Sequence, residues 1–139
     1  MAKILIVEDE ALLAQDWAAA LELDGHAVSV CREIPLAKRA IERDWPDIVV
    51  LDFFFKNQRG SLHSGGGMAL AARLRQRALK DQLPMPGLIG VTASEPDAFF
   101  PFDMFEQVEK ASRATFDSRL RKPFQPAMLV SAVDALLAR

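Results

Sequence analysis

The sequence predicts an α/β fold, a doubly wound five-stranded parallel sheet with helices on both faces, on three observations. Short β-branched runs alternate with longer segments of helical period in the order βαβαβαβαβα. The runs "ILIV", "DIVVL" and "GLIGV" are continuously apolar rather than alternating, as suits strands covered on both sides. At 139 residues, half of them hydrophobic, the chain is long enough to bury a core and short for two domains, so one domain over 1–139 is expected.

The first strand is Ile4 to Val7. A helix follows from Ala11 to Leu23, in which Leu13, Trp17 and Leu21 recur every fourth residue. Asp24-Gly25 stops it, Ala27 to Cys31 makes the second strand, and Ile34 to Arg43 is a helix with Pro35 in its first turn. Asp47 to Leu51 is the third strand. The polar, glycine-rich "KNQRGSLHSGGG" then leads into a helix at Met68 to Lys80, and Gly87 to Val91 is the fourth strand. Pro96 and Pro101 break the next segment near its start, leaving helix expected from about Asp103 to Ser112. A short strand at Ser118 to Arg121 and a closing helix from Pro126 to about Leu137, with Leu129, Val133 and Leu136 on its apolar side, complete the order.

Composition narrows the function. A formal net charge of -2 and a pI near 5.7 argue against general or direct nucleic-acid binding. The apolar runs are too short to span a bilayer, so no membrane insertion is expected. The N-terminus "MAKILIVEDE" lacks the regions of a signal peptide, and a cytoplasmic location follows as the expectation. The single cysteine, Cys31, has no internal disulfide partner and reads as a small core residue.

In parallel sheets of this kind ligands bind beyond the carboxyl ends of the strands. After the first strand stand Glu8, Asp9 and Glu10; after the third, Asp52; after the fourth, Thr92; after the fifth, Lys122. If the first and third strands are neighbours, Glu8, Asp9 and Asp52 converge and repel one another unless a cation joins them. Hard carboxylate oxygens with few other ligands favour magnesium, which commonly bridges to phosphate. A phosphoryl group at Asp52 would need Lys122 and Thr92 to hold the oxygens the metal does not reach. Aspartate is itself a nucleophile that forms an acyl phosphate. Singly, each residue has an ordinary explanation: acids after a strand cap helices, and a lone lysine is usually solvated. The joint arrangement is far more specific than any part.

With "ILIVEDE" at 4–10, "PDIVVLD" at 46–52, "GVTAS" at 90–94 and "KPF" at 122–124, the sequence resembles a receiver domain of the two-component response regulators over nearly its whole length. The resemblance implies a flavodoxin-like sheet of order 2-1-3-4-5. It implies Asp52 as phosphoacceptor, Asp9 as a direct ligand of Mg2+ (or Mn2+), and Glu8 acting on the metal mainly through water. It further implies coordination by the backbone carbonyl of Phe54, Thr92 as the phosphoryl-binding switch, Lys122 as its cationic partner, and a cis peptide between Lys122 and Pro123. The positions two after Asp52 and Thr92, Phe54 and Ser94, would tune the lifetime of the phosphoryl group.

Three departures from the family pattern stand out. Lys56 replaces a proline and Gly67 is the helix-opening glycine, so the loop over 56–67 is about seven residues longer; it reads as a tolerated surface insertion or as a lid or docking loop. Within it, "SGGG" is a weak anion-nest signal and His63 reads as a solvated histidine. Thr92 and Lys122 are 30 positions apart where the family has about twenty, and Arg119 occupies the place of the switch aromatic, with Phe116 a substitute at the wrong spacing. Phe99, Phe100, Phe102 and Phe105 read as core residues or as a partner surface.

The function that follows is a phosphorylation-dependent signalling module that takes a phosphoryl group from a phosphohistidine on a sensor histidine kinase or histidine phosphotransfer protein. No output domain is expected, so signalling would run through protein contacts: a homodimer or a downstream protein at the 99–122 region. A phosphorylation-independent pseudo-receiver is the alternative. Turnover of an external substrate is not expected. A phosphatase of the haloacid dehalogenase type wants an acid where Phe54 stands, and "EDE" would repel a flavin phosphate.

Overall fold

The computed structural model describes residues 1–52, 55–56, 62–92 and 110–139. In chain order the elements are β1 (Lys3–Val7), α1 (Ala11–Leu23), β2 (Ala27–Cys31), α2 (Ile34–Arg43), β3 (Ile48–Asp52), β4 (Phe55–Lys56), β5 (Leu62–His63), α3 (Ser64–Asp81), β6 (Gly87–Thr92), α4 (described over 110–115), β7 (Ser118–Arg121) and α5 (Pro126–Leu137). The main sheet is parallel throughout with order β2-β1-β3-β6-β7. Counting its strands alone, this is the expected order 2-1-3-4-5.

Strand alternation sends each buried run into two cores. Ile4 and Ile6 of β1 and Ile48 and Val50 of β3 meet Ala14, Trp17, Ala18 and Leu21 of α1 and Leu129 and Val133 of α5. Leu5, Val7, Val49 and Leu51 face the other way, onto Ala37 and Ile41 of α2 and Leu70, Ala71 and Leu74 of α3. A polar residue within Ile4 to Val7 or Ile48 to Leu51 would break one of these layers, which is why the runs read as unbroken hydrophobic sequence.

Helix ends follow local chemistry. Beyond α1 the His26 N–H reaches Leu21 O and the Gly25 N–H reaches Glu22 O, a paired closure that needs the left-handed φ of 92° at Gly25. After α3 the Leu83 N–H reaches Ala78 O in the same way, yet the left-handed position is Gln82, with φ of 54°.

The structure corrects several of these expectations. Asp52 belongs to β3 rather than following it, and Thr92 likewise belongs to β6. The helix expected from Met68 starts at Ser64, so "SGGG" forms its first turn and not a loop nest. Glycine costs about 1 kcal/mol in a helix interior, but Gly67, Leu70, Ala71 and Leu74 are all buried along this helix, and packing outweighs propensity. Helix α4 continues to 115, past the expected end at Ser112. The 56–67 insertion carries an antiparallel pair, β4 with β5, that hydrophobic patterning did not indicate.

Candidate functional site

Glu8, Asp52 and Lys122 come from the ends of three strands, and period-two alternation gives them a common face. Glu8 continues the parity of Ile4 and Ile6, Asp52 that of Ile48 and Val50, and Lys122 that of Leu120, all residues of the core beneath α1 and α5. Backbone bonds hold the two flanking residues in line with their strands: the Glu8 N–H donates to Cys31 O at 3.1 Å and the Lys122 N–H to Thr92 O at 2.8 Å. The Lys122 ammonium donates to Glu8 Oε1 at 2.9 Å and to Asp52 Oδ2 at 3.1 Å. One carboxylate oxygen from each of Glu8, Asp9 and Asp52 lies within 4.8 Å of the other two.

The cluster is dry. Glu8 is 0% exposed and Asp52 5%. Burial, reinforced by the Asp52 carboxylate, pushes the Glu8 carboxyl up to about 8 against the opposing pull of Lys122. For Lys122 burial is the largest single influence and lowers its pKa, but Asp52 and Glu8 together outweigh it and hold the ammonium above its ordinary value. Glu8 Oε2 is buried with no hydrogen-bond partner, an acceptor without a donor. Three converging acids, one with an orphaned oxygen and one cation among them, fit a hard divalent ion.

Thr92, 8% exposed, lies one residue beyond Val91, the register partner of Asp52 on β3. Its parity is that of Leu88 and Gly90, toward the opposite core. Asp9 is partly exposed, and its backbone carbonyl accepts from both Nε and a terminal nitrogen of Arg32 at 3.3 Å. Arg32 is the first residue after β2, so the strand-end rule is the signal that marks it in the sequence. The expected cis peptide between Lys122 and Pro123 is present. Arg119 is exposed and pairs with Gly90 in register, while Phe116 is buried with its ring against Gly90. Phe54, Ser94, Phe99, Phe100, Phe102 and Phe105 lie outside the described residues, so the Phe54 carbonyl and the phenylalanine cluster have no structural account.

A second acid group, Asp24, His26 and Asp134, also brings three ligand atoms within 4.8 Å of one another. It suits a metal poorly. The Ala2 N–H donates to His26 Nδ1 at 3.2 Å, which leaves the imidazole proton on Nε2, the atom that faces Asp24 Oδ2 at 3.3 Å and Asp134 Oδ1 at 3.8 Å. Hydrogen bonding to Asp24 holds the Asp134 carboxyl above its ordinary value. A concavity of about 350 Å³ opens at the far end of the sheet, between Ile48, Gly87, Leu136 and Arg139, and contains none of the strand-end residues.

The comparisons with known proteins bear on this strand-end cluster. The response regulator receiver domain model matches residues 4–134, and the chain belongs to that family. It is similar to the phosphate regulon transcriptional regulatory protein PhoB of Klebsiella pneumoniae, 26% identical over 99% of this chain, and to PhoB of Pseudomonas aeruginosa, 29% identical over 98%. The chain spans about half the length of these relatives, 52% in each case. Among solved structures, a candidate response regulator from Chloroflexus aurantiacus is 27% identical with a TM-score of 0.71, covering 99% of this chain and 98% of that one. The receiver domain of the Francisella response regulator 1452 shares the fold at a TM-score of 0.68 and 21% identity, over 98% of this chain and 96% of that one. Receiver domains are signalling modules of two-component systems. No helix among the described residues is long and apolar enough to cross a membrane.

Proposed function

We propose that residues 1–139 act as one receiver unit that accepts a phosphoryl group on Asp52 from the phosphohistidine of a sensor histidine kinase or histidine phosphotransfer protein. The observation that carries this reading is the Lys122 ammonium bonded at once to Glu8 and Asp52, with Asp9 completing a carboxylate triad. Attack by an Asp52 oxygen on phosphorus forms the P–O bond as the P–N bond of the phosphohistidine breaks, and the departing imidazole nitrogen keeps the electron pair and takes up a proton. Asp9 and Asp52 would hold Mg2+ (or Mn2+) directly, with Glu8 engaged through water, and the ion when bound supplies charge neutralisation at the phosphoryl oxygens.

Lys122 neutralises the side of the phosphoryl group facing β7, releasing Asp52 as it does so. Thr92 donates its hydroxyl to a phosphoryl oxygen. Lys122 is already desolvated, so little reorganisation is needed when charge develops. Signalling then runs through protein contacts in the cytoplasm, with population shift between two conformers as the device. The PhoB relatives are transcriptional regulators by name.

The test is incubation of the protein with acetyl phosphate and Mg2+, read by intact mass. Wild type gains one phosphoryl group, and Asp52→Asn gains none. A wild type that stays unmodified would refute the phosphoacceptor reading and leave a pseudo-receiver.

A further inference from the structure

Trp17 sits inside α1, 2% exposed, on the face that α1 turns toward the sheet. Its ring stacks on Phe124 with centroids 5.1 Å apart and planes inclined by 19°. Over the same ring stands the Lys122 ammonium, 5.8 Å from the centroid. Phe124 follows Lys122 by two residues, so one indole contacts both the lysine and the aromatic that ends its loop. An indole face is the strongest aromatic attractor for a cation, and the attraction grows when water is excluded, as here, where the Lys122 side chain is 18% exposed.

We propose that Trp17 is a positioning residue for Lys122. The inference rests on the reading of Asp52 as phosphoacceptor and deepens it. The carboxylates that hold the ammonium change their charge and geometry when Asp52 is modified or a divalent ion binds. The indole changes neither. It keeps the ammonium aimed at the β1–β3 crevice in both states, and the Phe124 stack keeps the indole plane fixed. A leucine at this position would fill much of the same space without offering a π face, which separates positioning from simple packing.

Two measurements test this. The first is the initial rate of phosphoryl uptake from acetyl phosphate with Mg2+, by intact mass. Trp17→Leu is expected to slow uptake about fivefold, the range of a partly desolvated cation–π contact, and Trp17→Phe to restore most of the rate. In a Lys122→Met background Trp17→Leu should cause no further slowing. Equal slowing in both backgrounds, or none in either, would overturn the proposal.

The second measurement needs neither a phosphoryl donor nor a Trp17 substitution. The chain has two tryptophans, so Trp45→Phe leaves Trp17 as the sole indole emitter. Its emission should change when Lys122→Met removes the ammonium and stay constant when exposed Lys80 is changed to Met. Identical spectra for Lys122→Met and its parent would overturn the proposal even if Asp52 accepts phosphate; a clear change with no phosphorylation would sink only the functional reading beneath it.

Discussion

Alanine at Gly90 probes the sheet face that also carries Thr92. A Cβ placed there would stand 2.8 Å from both Cγ and Cδ2 of Phe116 and 3.1 Å from Cδ1. Carbon atoms in contact prefer about 3.5–4.0 Å, so the ring must retreat by roughly 1 Å. Phe116 is 6% exposed and packs in the cluster that includes Leu51, Leu74 and Leu88, so its retreat displaces other core residues. Overpacking of this kind costs about 1–3 kcal/mol. For a chain of 139 residues that lowers Tm by about 3–10 °C. Thermal and urea unfolding followed by circular dichroism measures it, with Phe116→Ala as partner in a double-mutant cycle. Alanine removes Cγ, Cδ1 and Cδ2, the atoms that clash, so the added methyl should be nearly neutral in that background, giving a coupling of about 1 kcal/mol or more. A Gly90→Ala protein as stable as wild type, or one equally destabilised with alanine at 116, would refute the close approach.

Three further outcomes are expected. Gln82→Gly relieves a non-glycine residue held at φ of 54° and should stabilise by up to about 1 kcal/mol, read as a higher urea midpoint with unchanged slope; a lower midpoint would show that the Gln82 side chain matters more than its backbone. Mg2+ at a hundredfold excess over its Kd should raise stability by about 2.7 kcal/mol in a melt, and Asp9→Asn should lose most of that gain, whereas an equal gain in the variant would place the ion elsewhere. Burial pushes the Cys31 thiol up, so iodoacetamide should modify the native protein far more slowly than the unfolded chain. Because the folded state disfavours the thiolate, its contribution to stability is whole below the ordinary thiol pKa and is lost as pH climbs through the raised one; rapid alkylation at neutral pH would contradict the buried placement.

Much of the site was legible because parallel sheets confine chemistry to one edge. Glu8, Asp9, Asp52 and Thr92 each follow or end an apolar run and Lys122 follows the short strand β7, and the structure brings Glu8, Asp9, Asp52 and Lys122 into one cluster with Thr92 on the next strand. Trp17 showed only its helical period, which says that it is buried and nothing about what lies over its ring. Its partners are more than a hundred positions away, and no local pattern encodes that contact. By spacing alone Phe116 is a poor stand-in for the aromatic missing at Arg119, while its actual place depends on the absence of a side chain at Gly90, a residue of β6.

The amino-acid sequence by itself determined the strands of the main sheet, their parallel arrangement and the residues at their carboxyl ends, because burial on both faces and period-two alternation are written locally in residue type. Tertiary structure alone decided which buried groups touch. The glycines of α3 became helix because Leu70, Ala71 and Leu74 had a core to enter. Lys122 found two carboxylates and an indole because strand register, set by the whole sheet, delivered them to the same point.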